Sequence, residues 1–85
     1  MENLFSEINQ ICSIVFENPK LKLKLSDTPI DIDGWDSLTH VQLVAEIEKR
    51  FNVKFNFKEL ASIRTIEDMV TITEAKIKNN QSNET

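Results

Sequence analysis

Apolar residues recur at intervals of three or four along much of this chain, and that spacing limits its fold more than any other feature. Over residues 3–16 it predicts one helix with a single buried stripe. A second helix should begin at Asp36 and Ser37, with Asp36 as its N-cap, and end near Arg50 or Phe51. The chain is therefore expected to adopt an all-α fold.

The C-terminal third continues this helical pattern. Residues 55–61 allow one short helical turn, and residues 65–68 fit a capping pattern that opens a last helix. The apolar stripe of that helix consists of Ile66, Met69, Val70, Thr73 and Ile77. Residues 79–85 offer nothing apolar to bury, which predicts a disordered polar tail and a folded domain over residues 2–78.

The segment between the first two helices, residues 18–35, has no helical period. Pro19 disfavours helical backbone in the residue before it and so ends the first helix. The turn-forming residues that follow predict a long loop, and a loop of this length in so small a domain usually serves function. Leucine and lysine alternate over residues 20–25, so a strand is the alternative, although no second strand is evident to pair with it.

Length and charge narrow the class of protein. A chain of 85 residues allows one small domain and no separate substrate-binding domain. The net charge of −4 opposes nucleic-acid binding. A lone Cys12 supplies neither an internal disulfide nor a thiolate metal site, and the N-terminal sequence has neither a signal peptide nor a membrane span. We expect a cytoplasmic monomer that binds no metal.

The second helix has an unusually wide apolar arc made of two neighbouring sectors. One sector contains Leu43, Val44, Ile47 and Phe51, and the other contains Leu38, Val41 and Ala45. The first sector is expected to face the core. The second either completes the core or forms a small exposed patch beside Ser37, of the kind that marks a partner site.

Ser37 stands at or near the first helical position of this helix. Unpaired backbone N–H groups and the positive end of the helix dipole favour an anion there. A phosphate attached to Ser37 would be well placed. The alternative is that Asp36 and Ser37 are capping residues only, since both types are common at helix starts.

Residues 34–51, GWDSLTHVQLVAEIEKRF, resemble the acyl carrier protein family and its peptidyl carrier relatives. In that family an Asp-Ser-Leu triplet opens the second helix of a four-helix bundle, and its serine carries 4′-phosphopantetheine. The likeness extends to the long loop before the triplet, the short third helix and the capped fourth one. It implies a small four-helix bundle with this prosthetic group covalently attached to Ser37.

The resemblance also implies roles for the neighbours of Ser37. A phosphopantetheinyl transferase would do the chemistry, because no His or Lys lies in an evident base position, so the chain is expected to be a substrate and not an enzyme. Asp36 would help the transferase's magnesium site, and Leu38 and Val41 would contact partner enzymes. We expect Ala45, Glu46 and Glu48 to extend that partner surface, the two glutamates facing basic patches.

Several other residues have structural explanations on sequence grounds. His40 lies three positions after Ser37, where it could touch the arm, but a lone helical histidine is usually structural or solvated. Cys12 fits the apolar stripe of the first helix. Trp35 is expected to anchor the loop on the core, with shielding of the arm as the alternative, and Phe55 and Phe57 are expected to be core residues.

These features predict a carrier that holds acyl intermediates as thioesters and delivers them to loading and biosynthetic enzymes of fatty-acid, polyketide or specialised lipid or saccharide synthesis. An aliphatic cargo is expected to find shelter among Val44, Ile47 and Ile66. The first alternative is a peptidyl or aminoacyl carrier of a nonribosomal pathway. The second is an unmodified helical interaction module that offers the Leu38, Val41 and Ala45 patch to a partner.

Overall fold

The computed structural model describes the backbone of residues 2–83 and the side chains of residues 3–79. Within this part of the chain there are four helices and no strand. They are α1 (Glu2–Val15), α2 (Ser37–Phe51), α3 (Phe57–Ser62) and α4 (Ile66–Asn83). The predicted four-helix bundle, with a long first loop and a short third helix, is confirmed.

The core lies where α1 packs against α2 and α4. Each of these helices contributes its three-and-four stripe, and the stripe residues predicted for α4 are buried or half-buried. The most deeply buried large side chains are Ile8, Leu43, Ile47, Ile66 and Met69. Cys12 is also buried among them, which raises the pKa of its thiol to about 12, so it is a core side chain as predicted.

The loop between α1 and α2 is attached to the bundle along its length. The Asn9 side chain of α1 donates a hydrogen bond to the Leu21 carbonyl (3.0 Å) and accepts one from the Leu23 N–H (2.7 Å). Leu23, Ile32 and Trp35 are buried in the core. The alternating segment therefore forms a loop in which Leu23 is buried and Leu21 packs partly against the core, and the strand alternative is wrong.

The same loop also covers the N-terminus of α4. The N–H groups of Ile66 and Glu67 donate to the carbonyls of Asp27 (3.0 Å) and Leu25 (2.9 Å). The expected capping pair is present as well, because the Thr65 hydroxyl accepts from the Asp68 N–H at 3.1 Å. The loop thus links α1, α2 and α4 and holds the start of α2 in place.

Two sequence expectations are corrected. Helix α4 continues to Asn83, so residues 79–83 are helical where composition predicted a disordered tail, since no proline or glycine stops the backbone there. Glu84 and Thr85 lie outside the described residues. Phe57 is 83% exposed and not a core residue, because it is the first residue of α3, whereas Phe55 is half-buried against the core.

Candidate functional site

The site is built at the N-terminus of α2. Asp36 is the N-cap in an extended conformation, and its carboxylate accepts a hydrogen bond from the Thr39 N–H at 2.9 Å. The Thr39 hydroxyl in turn accepts from the Asp36 N–H at 2.8 Å, which completes a capping box. Gly34, at φ +92°, makes the turn into the helix in a conformation that glycine adopts without strain.

Ser37 is the first residue of α2 and is exposed. At this position its hydroxyl stands beside the unpaired N–H groups of the first turn, which favour a negative group. None of the hydrogen bonds within the described part of the chain engages that hydroxyl. The oxygen is therefore free to be modified, and no side chain among residues 3–79 is hydrogen-bonded to it as a base would be.

Asp36 is ionised over a wide pH range. The N–H of Thr39, which donates to the carboxylate, lowers the pKa of Asp36 below its usual value, and the Thr39 hydroxyl adds to the effect. Asp36 is also exposed, immediately before Ser37. Its capping role is thus evident, and an exposed charged oxygen remains available to a partner.

A groove of about 520 Å³ opens beside Ser37. Its walls come from the second half of the first loop, the first turns of α2, and α3 with the residue that follows it. They consist of Pro29, Trp35, Asp36, Ser37, His40, Phe57, Leu60, Ala61 and Ile63. A pendant group on Ser37 therefore has space beside a surface that is largely apolar.

Trp35 and His40 form part of this groove and are joined to each other. The Trp35 indole N–H donates to Nδ1 of His40 at 3.0 Å, and Nε2 of His40 lies 3.1 Å from the Leu60 carbonyl oxygen. Because an indole N–H can only donate, Nδ1 must accept, and the ring proton on Nε2 points to Leu60. The structural explanation of His40 is confirmed, and buried Trp35 anchors the loop as expected.

The second apolar sector of α2 is exposed. Leu38 is 68% and Val41 54% accessible, and Ala45 is also exposed. Phe57 of α3 adds to this surface, and a further groove of about 320 Å³ runs between Val41, Ala45 and Phe57. We call Leu38, Val41, Ala45 and Phe57 the apolar patch. The sequence placed Phe57 in the core, although Asn56 in front of it is a helix-capping residue type that could have signalled an exposed first turn.

The two glutamates expected on the partner surface differ in what they contact. Glu46 is exposed, and its carboxylate oxygen Oε2 lies 3.6 Å from Nζ of Lys49, about one turn later. Glu48 is half-buried, and its carboxylate accepts a hydrogen bond from the Phe55 N–H at 2.8 Å. Glu48 thus closes the connection between α2 and α3, a role that its place in the sequence does not reveal.

The residues expected to shelter cargo are part of the packed core. Val44, Ile47 and Ile66 are all buried, and Ile47 and Ile66 are completely so. The open space next to Ser37 is instead the surface groove. Among the described residues, no group of three or more His, Cys, Asp or Glu side chains could hold a metal ion, and no helix is long and apolar enough to cross a membrane.

Comparison with known proteins agrees with this geometry. The family model described as a phosphopantetheine attachment site matches residues 9–72. The chain is similar to an acyl carrier protein of Thermotoga maritima, with 33% identity over 76 residues that cover 89% of this chain and 94% of that protein. Its fold is similar to the solution structure of holo acyl carrier protein from Geobacter metallireducens, with a TM-score of 0.86, 25% identity, and coverage of 93% and 91%.

The chain belongs to the phosphopantetheine-binding carrier proteins, and within them to the acyl carrier protein family. Its prosthetic group is covalent 4′-phosphopantetheine. The family consists of carriers and not of catalysts. An exposed hydroxyl at a helix N-terminus, with a groove beside it, fits such a group.

Proposed function

We propose that this protein carries acyl intermediates as thioesters on 4′-phosphopantetheine attached to Ser37, and delivers them to partner enzymes. The observation that supports this most directly is the exposed Ser37 hydroxyl at the first position of α2, beside the apolar groove. When attached, the prosthetic group supplies a terminal thiol for the thioester. The protein supplies the attachment point, a favourable field for the phosphate and a surface for recognition.

Attachment would proceed on a separate phosphopantetheinyl transferase. The Ser37 oxygen forms a bond to the phosphorus of coenzyme A that bears the pantetheine, the pyrophosphate bond breaks, and adenosine 3′,5′-bisphosphate leaves. The Ser37 proton goes to a base of the transferase, since no side chain in the described chain binds that hydroxyl. Asp36, exposed and ionised, is proposed to face the transferase's magnesium ion.

Partner recognition is proposed to use the apolar patch together with Glu46 and Glu48. Leu38 adjoins Ser37 along the chain, so an enzyme that reaches the arm would also meet the patch. Exposed apolar side chains of this size are typical of docking surfaces. Glu46 adds a charge for basic partners, whereas Glu48 contributes mainly through the loop that it holds.

The apolar character of the groove favours acyl groups over aminoacyl cargo, and hence a role in fatty-acid, polyketide or specialised lipid or saccharide synthesis. Trp35, Phe57, Leu60 and Ile63 offer apolar contact area to an acyl chain. We also propose that the protein works in the cytoplasm, where its single buried thiol needs no disulfide partner.

The test is intact-mass analysis of the full chain after incubation with a broad-specificity phosphopantetheinyl transferase and coenzyme A. We expect a mass increase of one phosphopantetheinyl group, absent in Ser37→Ala. Ser62→Ala, which removes another exposed serine, should still be modified. An unshifted wild-type mass would instead favour an unmodified interaction module. Preferential loading by an aminoacyl-activating enzyme would favour the nonribosomal alternative.

A further inference from the structure

Helix α3 is held by two polar contacts and by the partial packing of Leu60 against the core. It has only six residues, Phe57–Ser62, and none of them is buried. The Glu59 carboxylate pairs with Lys76 of α4 at 2.7 Å, and the Leu60 carbonyl oxygen lies 3.1 Å from Nε2 of His40 on α2. Because α3 buries so little apolar surface, its position depends strongly on these two polar contacts. The other helices are held more by apolar packing.

The His40 contact has only one consistent arrangement. Its Nδ1 accepts from the Trp35 indole, so its Nε2 carries the proton that goes to the Leu60 carbonyl. The Trp35 and His40 rings also stack, with centroids 6.0 Å apart and planes inclined by 25°. Because Trp35 is itself buried in the core, this chain of contacts ties α3 to the centre of the bundle.

The bridge lies where α2 and α3 meet, between two apolar spaces. His40 lines the groove beside Ser37, and Val41 and Val44 line the second groove. Phe57 and Leu60 of α3 line both. The His40 to Leu60 hydrogen bond therefore joins the two helices at the boundary between the grooves.

We propose that the Trp35–His40–Leu60 bridge is a latch that holds α3 against α2 and confines an acyl group carried on Ser37 to the surface groove. His40 is then a positioning residue that limits how far the cargo enters between α2 and α3. This inference rests on the proposed carrier function. It also concerns the unmodified chain, because the latch exists before any arm is attached.

The first experiment measures the latch in the unmodified protein by amide hydrogen exchange. His40→Phe keeps a ring against Trp35 but removes both hydrogen bonds, whereas a His40→Gln amide can accept from Trp35 and donate to Leu60. We expect exchange in α3 to rise about tenfold in His40→Phe and to stay near wild type in His40→Gln. Unchanged α3 exchange in His40→Phe would overturn the latch.

The second experiment measures cargo entry. Wild type and variants are modified, checked by intact mass, loaded with butyryl or decanoyl groups, and cleaved with hydroxylamine. In wild type both thioesters should be cleaved within about twofold of each other, because both stay in the open groove. In His40→Phe, hydroxylamine should cleave the decanoyl thioester about tenfold more slowly than the butyryl thioester. A tenfold difference is about what burial of two methylene groups would give.

Glu59→Gln is the matched control, since it weakens the other tether of α3 and leaves the bridge intact. It should raise α3 exchange without selective protection of decanoyl cargo. The latch proposal fails if Glu59→Gln and His40→Phe protect the decanoyl thioester equally. It also fails if His40→Gln shows the same α3 exchange and the same thioester protection as His40→Phe. A chain that never gains the arm refutes the carrier function instead, and the exchange result then still decides whether the latch exists.

Discussion

The indole N–H of Trp35 donates a hydrogen bond to Nδ1 of His40 over 3.0 Å, and this contact joins the end of the first loop to the first turns of α2. The Trp35 ring also packs against that of Phe16, the residue after α1, with ring centroids 6.3 Å apart. One buried side chain therefore fixes both the approach to Ser37 and the orientation of His40. The environment of the attachment serine depends on this pair.

Substitution of Trp35 should separate packing from hydrogen bonding. Trp35→Phe removes the donor and little apolar surface, so the free energy of unfolding should fall by about 1–2 kcal/mol. Trp35→Ala leaves a cavity and should cost about 3–5 kcal/mol. Urea unfolding followed by far-ultraviolet circular dichroism measures both values. Equal losses would show that the hydrogen bond, and not the ring, carries the effect.

The Asp36 cap can be tested apart from any partner role. Asp36→Ala removes the acceptor of the Thr39 N–H and should lower the urea midpoint, whereas Asp36→Asn keeps an acceptor and should stay closer to wild type. Both variants remove the carboxylate charge. If Asp36 also faces the transferase's magnesium ion, modification of Ser37 should slow in both, including the well-capped Asp36→Asn. Normal modification of Asp36→Asn would leave Asp36 with the capping role alone.

The Glu59 to Lys76 ion pair predicts a specific pH dependence. The hydrogen bond from Lys76 lowers the pKa of Glu59, so the folded state binds the carboxylate proton more weakly than the unfolded state. The stabilisation is present above the ordinary carboxyl pKa and is lost as pH falls through the lowered value. The free energy of unfolding of wild type should exceed that of Glu59→Gln by about 0.5–1 kcal/mol at neutral pH, and the two values should converge in acid. A difference that grew in acid would contradict the pairing.

Cys12 should be unreactive in the folded protein. Its thiol is buried and its pKa is raised to about 12, so little thiolate exists near neutral pH. Alkylation by iodoacetamide, followed by mass spectrometry, should be slow in buffer and rapid in concentrated urea. Rapid labelling of the native chain would mean that α1 opens far more often than its packing indicates.

Phe55 and Phe57 form a matched pair that separates docking from stability. Phe57→Ala removes an exposed ring and should change the free energy of unfolding by less than about 0.5 kcal/mol. Phe55→Ala removes a half-buried ring that also contacts the Lys76 ammonium and should cost about 2 kcal/mol. With the transferase as partner, Phe57→Ala should raise KM. An unchanged KM would remove Phe57 from the docking surface.

The features that could be predicted from sequence are those with local causes. Helix α2 begins after Asp36 because a capping residue and the following apolar spacing act within one turn. The wide apolar arc of α2 follows from the same periodicity, which left open whether its second sector is buried or, as the structure has it, exposed. Residues 79–83 are helical, although their polar composition predicted disorder. Composition shows that these residues have nothing apolar to bury, but it does not show that the backbone hydrogen bonds of α4 continue through them.

The sequence by itself determined the four helices, the caps of α2 and α4 and the serine at the start of α2, since each depends on residues within a few positions of one another. Only the tertiary structure decided that Phe57 faces outward, that Glu48 holds the Phe55 N–H, and that His40 reaches the Leu60 carbonyl of α3. These last features depend on how separate segments pack, because the histidine and the carbonyl that it meets lie 20 positions apart.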